Sequence, residues 1–335
     1  MLPIIFAFAG TVLSDDERAL FRACDPAGFI LFRRNIETPD QVRALTDSLR
    51  ELSGRSDLPI LIDQEGGRVA RLEPPHWPVF PTGEAFGRLF ETAPLSALEA
   101  ARVNALAIAL TLRDIGVTVD CLPLLDVPVP SAHDVIGDRA YGREPLRVAA
   151  LGDMTLRGLR EGGVVGIVKH IPGHGRAAAD SHLELPVVTA SRDELETDFA
   201  PFRKLSGAPM GMTAHVKYTA LDAERCASLS PTVIEGTIRG DIGFDGFLMA
   251  DDLGMKALGG SFAQRALGTI AAGCDVALHC SGVFAEMAEI AEAAPAMSDK
   301  AQERLARAMA WADGASQADI AELAAKRDAL LALAA

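Results

Sequence analysis

The chain has 335 residues, 49% of them hydrophobic, with 32 basic against 46 acidic side chains and a formal net charge of −14. That length accommodates either two ordinary domains or one large α/β barrel. The apolar fraction excludes a largely disordered chain, and the negative balance argues against nucleic acid or a membrane surface as a partner.

In chain order, the apolar run Leu2–Ala9 has no basic leader and no small-residue cleavage site, and it is too short to span a bilayer, so it is expected to be a buried strand. Further strands are predicted at Gly28–Phe32, Pro59–Asp63, Thr118–Asp126, Val164–His170, Met210–His215, Gly246–Asp251 and Asp275–His279, with the first at Pro3–Phe8. Between them lie amphipathic stretches: Ser14–Cys24, Thr38–Leu52, Ala97–Ile115, Pro145–Glu161, Ser191–Leu205, Pro231–Asp241 and Phe262–Ala272. Ser14, Thr38 and Ser191 are natural N-caps, the last with Glu194 three residues on. The proline-rich patch Glu73–Pro81 is expected to be a fixed loop after the third strand. Strands without polar alternation suit a parallel sheet covered by helices, and eight βα units point to a (β/α)8 TIM barrel, with an open doubly wound sheet as the alternative. Ser298–Ala312 and Ser316–Ala334 read as C-terminal helices. The expectation is one catalytic domain over residues 1–335, with the barrel to about 290 and a helical extension at about 291–335. Five cysteines (Cys24, Cys121, Cys226, Cys274, Cys280) without CxxC spacing suggest neither disulfides nor a zinc knuckle and fit a reducing cytoplasm.

Polar residues appear abruptly where the strands end: Asp63-Gln64-Glu65-Gly66-Gly67-Arg68, then Asp126, Lys169-His170, His215 and Asp251-Asp252. Any one of these is explained as a helix cap or a loop staple. Five such ends on one barrel rim are not, because that rim is where active sites are built. The densest stretch is Lys169-His170-Ile171-Pro172-Gly173-His174-Gly175, followed by Asp180-Ser181-His182. The Asp180–His182 spacing permits a carboxylate-oriented imidazole that both donates and accepts a proton near neutrality. Of the adjacent acids Asp251 and Asp252, one could be kept ionised as a nucleophile by Lys169, Arg139 and Arg71, while Asp252 also suits a helix N-cap. Such a set favours acetal hydrolysis through an oxocarbenium-like transition state, although phosphoryl or acyl transfer stays open on chemistry alone.

In three blocks, Ile62–Val69, Lys169–Gly175 with Asp180–His182, and Met249–Met255, the sequence resembles glycoside hydrolase family 3, specifically the compact β-N-acetylhexosaminidases of bacterial cell-wall recycling. Weaker similarities at Gly28–Asn35, Gly137–Tyr141, Met212–Val216 and Ala272–Asp275 extend the likeness over roughly residues 1–290. The resemblance implies a retaining exo-glycosidase acting on terminal β-linked N-acetylglucosamine of muropeptides joined to 1,6-anhydro-N-acetylmuramic acid. It implies Asp251 as nucleophile, His182 as acid/base with Asp180 as its partner, and Asp63, Arg71, Arg139, Lys169 and His170 as sugar ligands. It implies no cofactor and no metal, a small carbohydrate substrate as the partner, a monomer, and a cytoplasmic location. Three positions depart from the family pattern: Ile171 stands where Phe is usual, Ala250 where Ser or Thr is, and Gly254 where Ser is common. Two other readings stay open, a metal-dependent barrel hydrolase using His170, His174, His182, His215 and Asp251, and a non-catalytic sugar-binding barrel. Hydrolysis is the expected outcome, with phosphorolysis also open, since a histidine acid/base presents no second like charge to phosphate.

Overall fold

In the computed structural model, which describes residues 1–130, 132–181 and 183–334, eight parallel strands close into a barrel. They are β1 (Leu2–Phe6), β2 (Pro26–Leu31), β3 (Ile60–Ile62), β4 (Val119–Asp120), β5 (Val165–Ile171), β6 (Met210–Thr213), β7 (Phe247–Asp252) and β8 (Val276–His279). Neighbours pair in chain order, and β8 returns to β1 through Ile4↔Ala277, Ile5↔Leu278 and Phe6↔His279. The architecture is the expected TIM barrel.

The strands carry apolar residues on both faces because both faces are buried. Alternate residues such as Ile5, Ile30, Leu61, Ile167, Met212 and Met249 fill the interior, while Phe6, Phe29, Ile62, Val168, Leu248 and Ala250 pack beneath the helices. The C-terminal helix Asp299–Met309 closes the lower end of the barrel, where Met297, Ala301, Leu305 and Ala308 join the interior cluster. Its buried Arg304 is held by Asp275 (Nη1 to Oδ1, 3.0 Å) and Asp245 (Nη2 to Oδ1, 2.6 Å). The last helix, Ile320–Leu331, lies against the largely buried helix Pro94–Asp114, with Arg327 donating to the Asn104 side chain at 3.1 Å.

Two features differ from the sequence-based expectation. The fourth strand is regular only over Val119–Asp120 rather than to Asp126, because Pro123 has no N–H to contribute to a ladder. The chain nevertheless runs on beside β5, with Leu125 N–H donating to Lys169 O at 2.7 Å, so Asp126 still reaches the rim. Helices at Gly83–Thr92 and Phe284–Ala293 were not expected. The first carries two glycines, which weaken a helix locally. Tertiary contact explains them: a Cβ on Gly83 would lie 2.2 Å from the Arg139 carbonyl oxygen, and one on Gly87 2.1 Å from that of Tyr141. This helix therefore presses directly on the backbone that carries Arg139.

Candidate active site

At the C-terminal rim of the barrel opens a cavity of about 440 Å³. Asp63, Arg71, Arg139, Lys169, His170, Asp180 and Asp251 all line it, so seven of the eight residues singled out from sequence come together. His182 lies outside the described residues.

One wall is a network of paired charges. Asp63, just past β3, takes Arg71 Nη2 at 2.9 Å and Lys169 Nζ at 3.3 Å. Glu65 takes Lys169 Nζ at 2.5 Å and both Nε and Nη2 of Arg139, at 2.9 and 2.8 Å. The Lys169 side chain is 2% exposed and that of Glu65 5%. Burial alone would raise the carboxyl pKa values, but the facing cations outweigh it and hold Asp63 and Glu65 below the usual carboxylate range. For the same reason burial fails to depress Lys169, whose ammonium is raised by Glu65 and Asp63. This corrects one expectation: Lys169, Arg139 and Arg71 are bound to Asp63 and Glu65, not to Asp251 or Asp252. Glu65 belonged to the first motif block but had no assigned role there, because its partners are 74 and 104 residues distant in sequence.

The second group is built on Asp126. Its carboxylate receives His170 Nδ1 at 2.7 Å and the backbone N–H groups of His170 and His174 at 3.2 and 2.6 Å. Burial would raise Asp126, and His170 and His174 more than offset it. The β5–β6 pairing shifts register between Lys169 and Ile171. A bulge of this kind lets consecutive residues face the same side, and Lys169 and His170 both line the cavity. His174 is pushed down to about 4, first by burial and then by His170, so its ring is neutral at ordinary pH. Its Nε2 lies 3.4 Å from Ser181 Oγ. Among the described residues no three His, Cys, Asp or Glu side chains converge closely enough to hold a metal ion.

Facing these groups is the end of β7. Asp251 is 7% exposed, and its Oδ1 accepts the Asp252 N–H at 2.9 Å. Among the described residues no ion pair involves it. Asp252 is a staple between loops, not a helix cap: its Oδ1 accepts the Gly254 and Cys280 N–H groups at 2.9 and 3.0 Å. The cap of the following helix is Ser261. The three departures from the family pattern also find their places. Ala250 and Ile171 point into the helix-facing layer, away from the cavity, and Gly254 sits under Asp252, whose Oδ2 would lie 2.9 Å from an added Cβ.

A family model, the glycosyl hydrolase family 3 N terminal domain, matches residues 7–310. The chain is 40% identical over 295 residues to a β-hexosaminidase of Alkalilimnicola ehrlichii, covering 83% of this chain and 80% of that one. It is 35% identical to a β-hexosaminidase of Chromobacterium violaceum, with 98% and 96% covered. Among solved structures, NagZ from Neisseria gonorrhoeae in complex with N-trifluoroacetyl-D-glucosamine superimposes with a TM-score of 0.87 at 30% identity, covering 99% and 98%. The β-N-acetylglucosaminidase from Thermotoga maritima gives a TM-score of 0.75 at 25% identity, covering 94% of this chain and 67% of that one. Since the match runs from the end of β1 through the helix that closes the barrel floor, the chain belongs to glycosyl hydrolase family 3 and is a glycoside hydrolase of the β-hexosaminidase kind.

Proposed function

We propose that the protein is a retaining exo-β-N-acetylglucosaminidase that removes terminal non-reducing N-acetylglucosamine from peptidoglycan fragments, muropeptides with 1,6-anhydro-N-acetylmuramic acid, in the cytoplasm. The observation that carries this reading is the contrast within the cavity: Asp63 is neutralised by cations, whereas Asp251 lines the same space with, among the described residues, a single backbone N–H on its carboxylate. A carboxylate oxygen that faces no cation keeps its electron pair available for attack.

In the first step an Asp251 oxygen bonds to the anomeric carbon. The glycosidic C–O bond breaks, and its electrons pass to the aglycone oxygen, which takes a proton from His182. In the second step water gives a proton to His182 and attacks the same carbon, and Asp251 leaves with the electron pair. Two inversions retain the configuration. Asp180, which lines the cavity beside Ser181, is the partner that raises the basicity of His182. Asp63 accepts from sugar hydroxyls, and Arg71, Arg139, Lys169 and His170 donate to them. A cavity of about 440 Å³ suits the end of a glycan rather than the length of one. The N-acetylglucosamine preference draws support from the relative whose ligand is N-trifluoroacetyl-D-glucosamine.

Release of p-nitrophenol from p-nitrophenyl β-N-acetylglucosaminide, with the β-glucoside as specificity control, tests the reading. Asp251→Ala is expected to abolish it, and near-normal turnover would overturn the assignment. Azide added to His182→Ala is expected to give glycosyl azide, and its absence would count against the acid/base role. Product analysis in phosphate buffer separates N-acetylglucosamine from its 1-phosphate.

A further inference from the structure

The orientation of Asp251 depends on how its backbone is held, and it stands where the barrel ladder gives out. β6 and β7 pair from Met210↔Phe247 to Thr213↔Ala250, and the β7–β8 pairing shifts register between Met249 and Asp252. On the β8 side the chain is still secured, by Leu253 N–H on Leu278 O at 2.8 Å and by Cys280 N–H on the Asp252 carboxylate. On the β6 side a side chain takes over from the ladder. His215, two residues past β6, places Nε2 3.0 Å from the Asp252 carbonyl oxygen and Nδ1 2.6 Å from Ser228 Oγ.

Both His215 and Ser228 are fully buried. A carbonyl oxygen only accepts, so Nε2 carries the hydrogen, and Nδ1 then accepts from the Ser228 hydroxyl. The Asp252 carbonyl thereby fixes the tautomer, and Ser228 complements it as the donor to Nδ1. Burial lowers the imidazole pKa despite the nearby Asp251 and Asp252 charges, which keeps the ring neutral and Nδ1 an acceptor. From Asp252 the chain continues, its N–H donating to Asp251 Oδ1 at 2.9 Å. His215 does not line the cavity, and no step of the reaction above uses it.

We propose that His215, held at Nδ1 by Ser228, is a positioning residue that clamps the Asp251–Asp252 backbone so that the Asp251 carboxylate presents its other oxygen to the anomeric carbon. This rests on Asp251 being the nucleophile. A misaimed nucleophile raises the barrier to forming the glycosyl-enzyme whatever the leaving group, and it leaves sugar binding intact.

The test compares kcat/KM on p-nitrophenyl and alkyl β-N-acetylglucosaminides with the inhibition constant of N-acetylglucosamine, for His215→Leu, His215→Gln, Ser228→Ala and Asp251→Ala. His215→Leu is expected to lose about 100-fold in kcat/KM on both substrates with the inhibition constant unchanged. His215→Gln, which keeps a side-chain N–H donor, is expected to recover to within about tenfold of wild type. A folded His215→Leu with wild-type kcat/KM, a Gln variant as impaired as Leu, or a loss confined to the inhibition constant overturns the proposal. If thermal melting shows that His215→Leu does not fold, Ser228→Ala decides: a drop of about tenfold with unchanged inhibition is expected, and wild-type activity overturns the role. Full activity in Asp251→Ala would instead sink the nucleophile assignment, whereas an inactive Asp251→Ala beside a fully active His215→Leu would sink only the clamp.

Discussion

On the β3–β5 side of the cavity, Asp63 and Glu65 share Arg71, Lys169 and Arg139, and nearly every charged atom there faces an opposite charge within about 3.3 Å. On the β7 side, Asp251 is also buried, but among the described residues its carboxylate accepts a single backbone N–H, that of Asp252, whose own carbonyl is held by the neutral His215. A buried carboxyl group is accommodated in both places, by ion pairing in one and by a backbone N–H dipole in the other. The difference matters for chemistry. A carboxylate matched by guanidinium and ammonium makes a stiff hydrogen-bonding wall, while one that meets a single backbone N–H leaves its other oxygen open to the cavity.

The sharpest way to break this comparison is at the adjacent acids. Asp251→Asn is expected to cost about 10⁴-fold or more in kcat, whereas Asp252→Asn keeps the Oδ1 acceptor for Gly254 and Cys280 and is expected to stay within about tenfold of wild type. Comparable losses in steady-state assays would erase the distinction. Next in size is Glu65→Gln, which leaves Lys169 and Arg139 buried with half their countercharge. It should destabilise by about 3–5 kcal/mol in denaturant unfolding, with KM rising as the wall loosens. A Tm at the wild-type value would show that the wall is not a unit.

A smaller effect separates the two sides by pH. The fold lowers His174 to about 4 from its ordinary 6.5, so its contribution is complete above about 6.5 and is lost as the pH falls towards 4, about 3 kcal/mol in all. Asp63 and Glu65 are also lowered, and their contribution fades only below the ordinary carboxylate range. Tm measured from pH 7 down to 4.5 is expected to fall in the wild type and to fall less steeply in His174→Gln, the remaining slope coming from His215 and His279, which burial also lowers; equal slopes would remove His174 from the acid sensitivity. Smallest of all, Ala250→Ser should change kcat less than about twofold, because that side chain lies on the helix face of β7. A clear gain in kcat would mean that the hydroxyl acts through the strand.

Strand number, barrel closure and the ring of polar strand ends were legible in the sequence because they depend on local pattern: apolar runs of four to eight residues, caps, and polar residues where the runs stop. The helix Gly83–Thr92 was not, since its glycines oppose helix locally and are explained only by contact with the Arg139 and Tyr141 backbones. The same division runs through the site. Asp63, Arg71, Arg139, Lys169, His170, Asp180 and Asp251 could be named one by one, yet their pairing could not.

Residue type and spacing alone determined that this chain is a barrel with acids, cations and histidines on one rim. Only the tertiary structure decided which acids are neutralised, that Glu65 and Asp126 organise the two groups beside the cavity, that Asp252 is a staple, and that His215 reaches across from β6 to the Asp252 carbonyl. The physical reason is range. Backbone propensity and burial pattern act over a few residues, whereas ion pairs and buried hydrogen bonds join groups 106 positions apart within the site and 223 apart between Arg327 and Asn104, brought into contact only when the barrel closes.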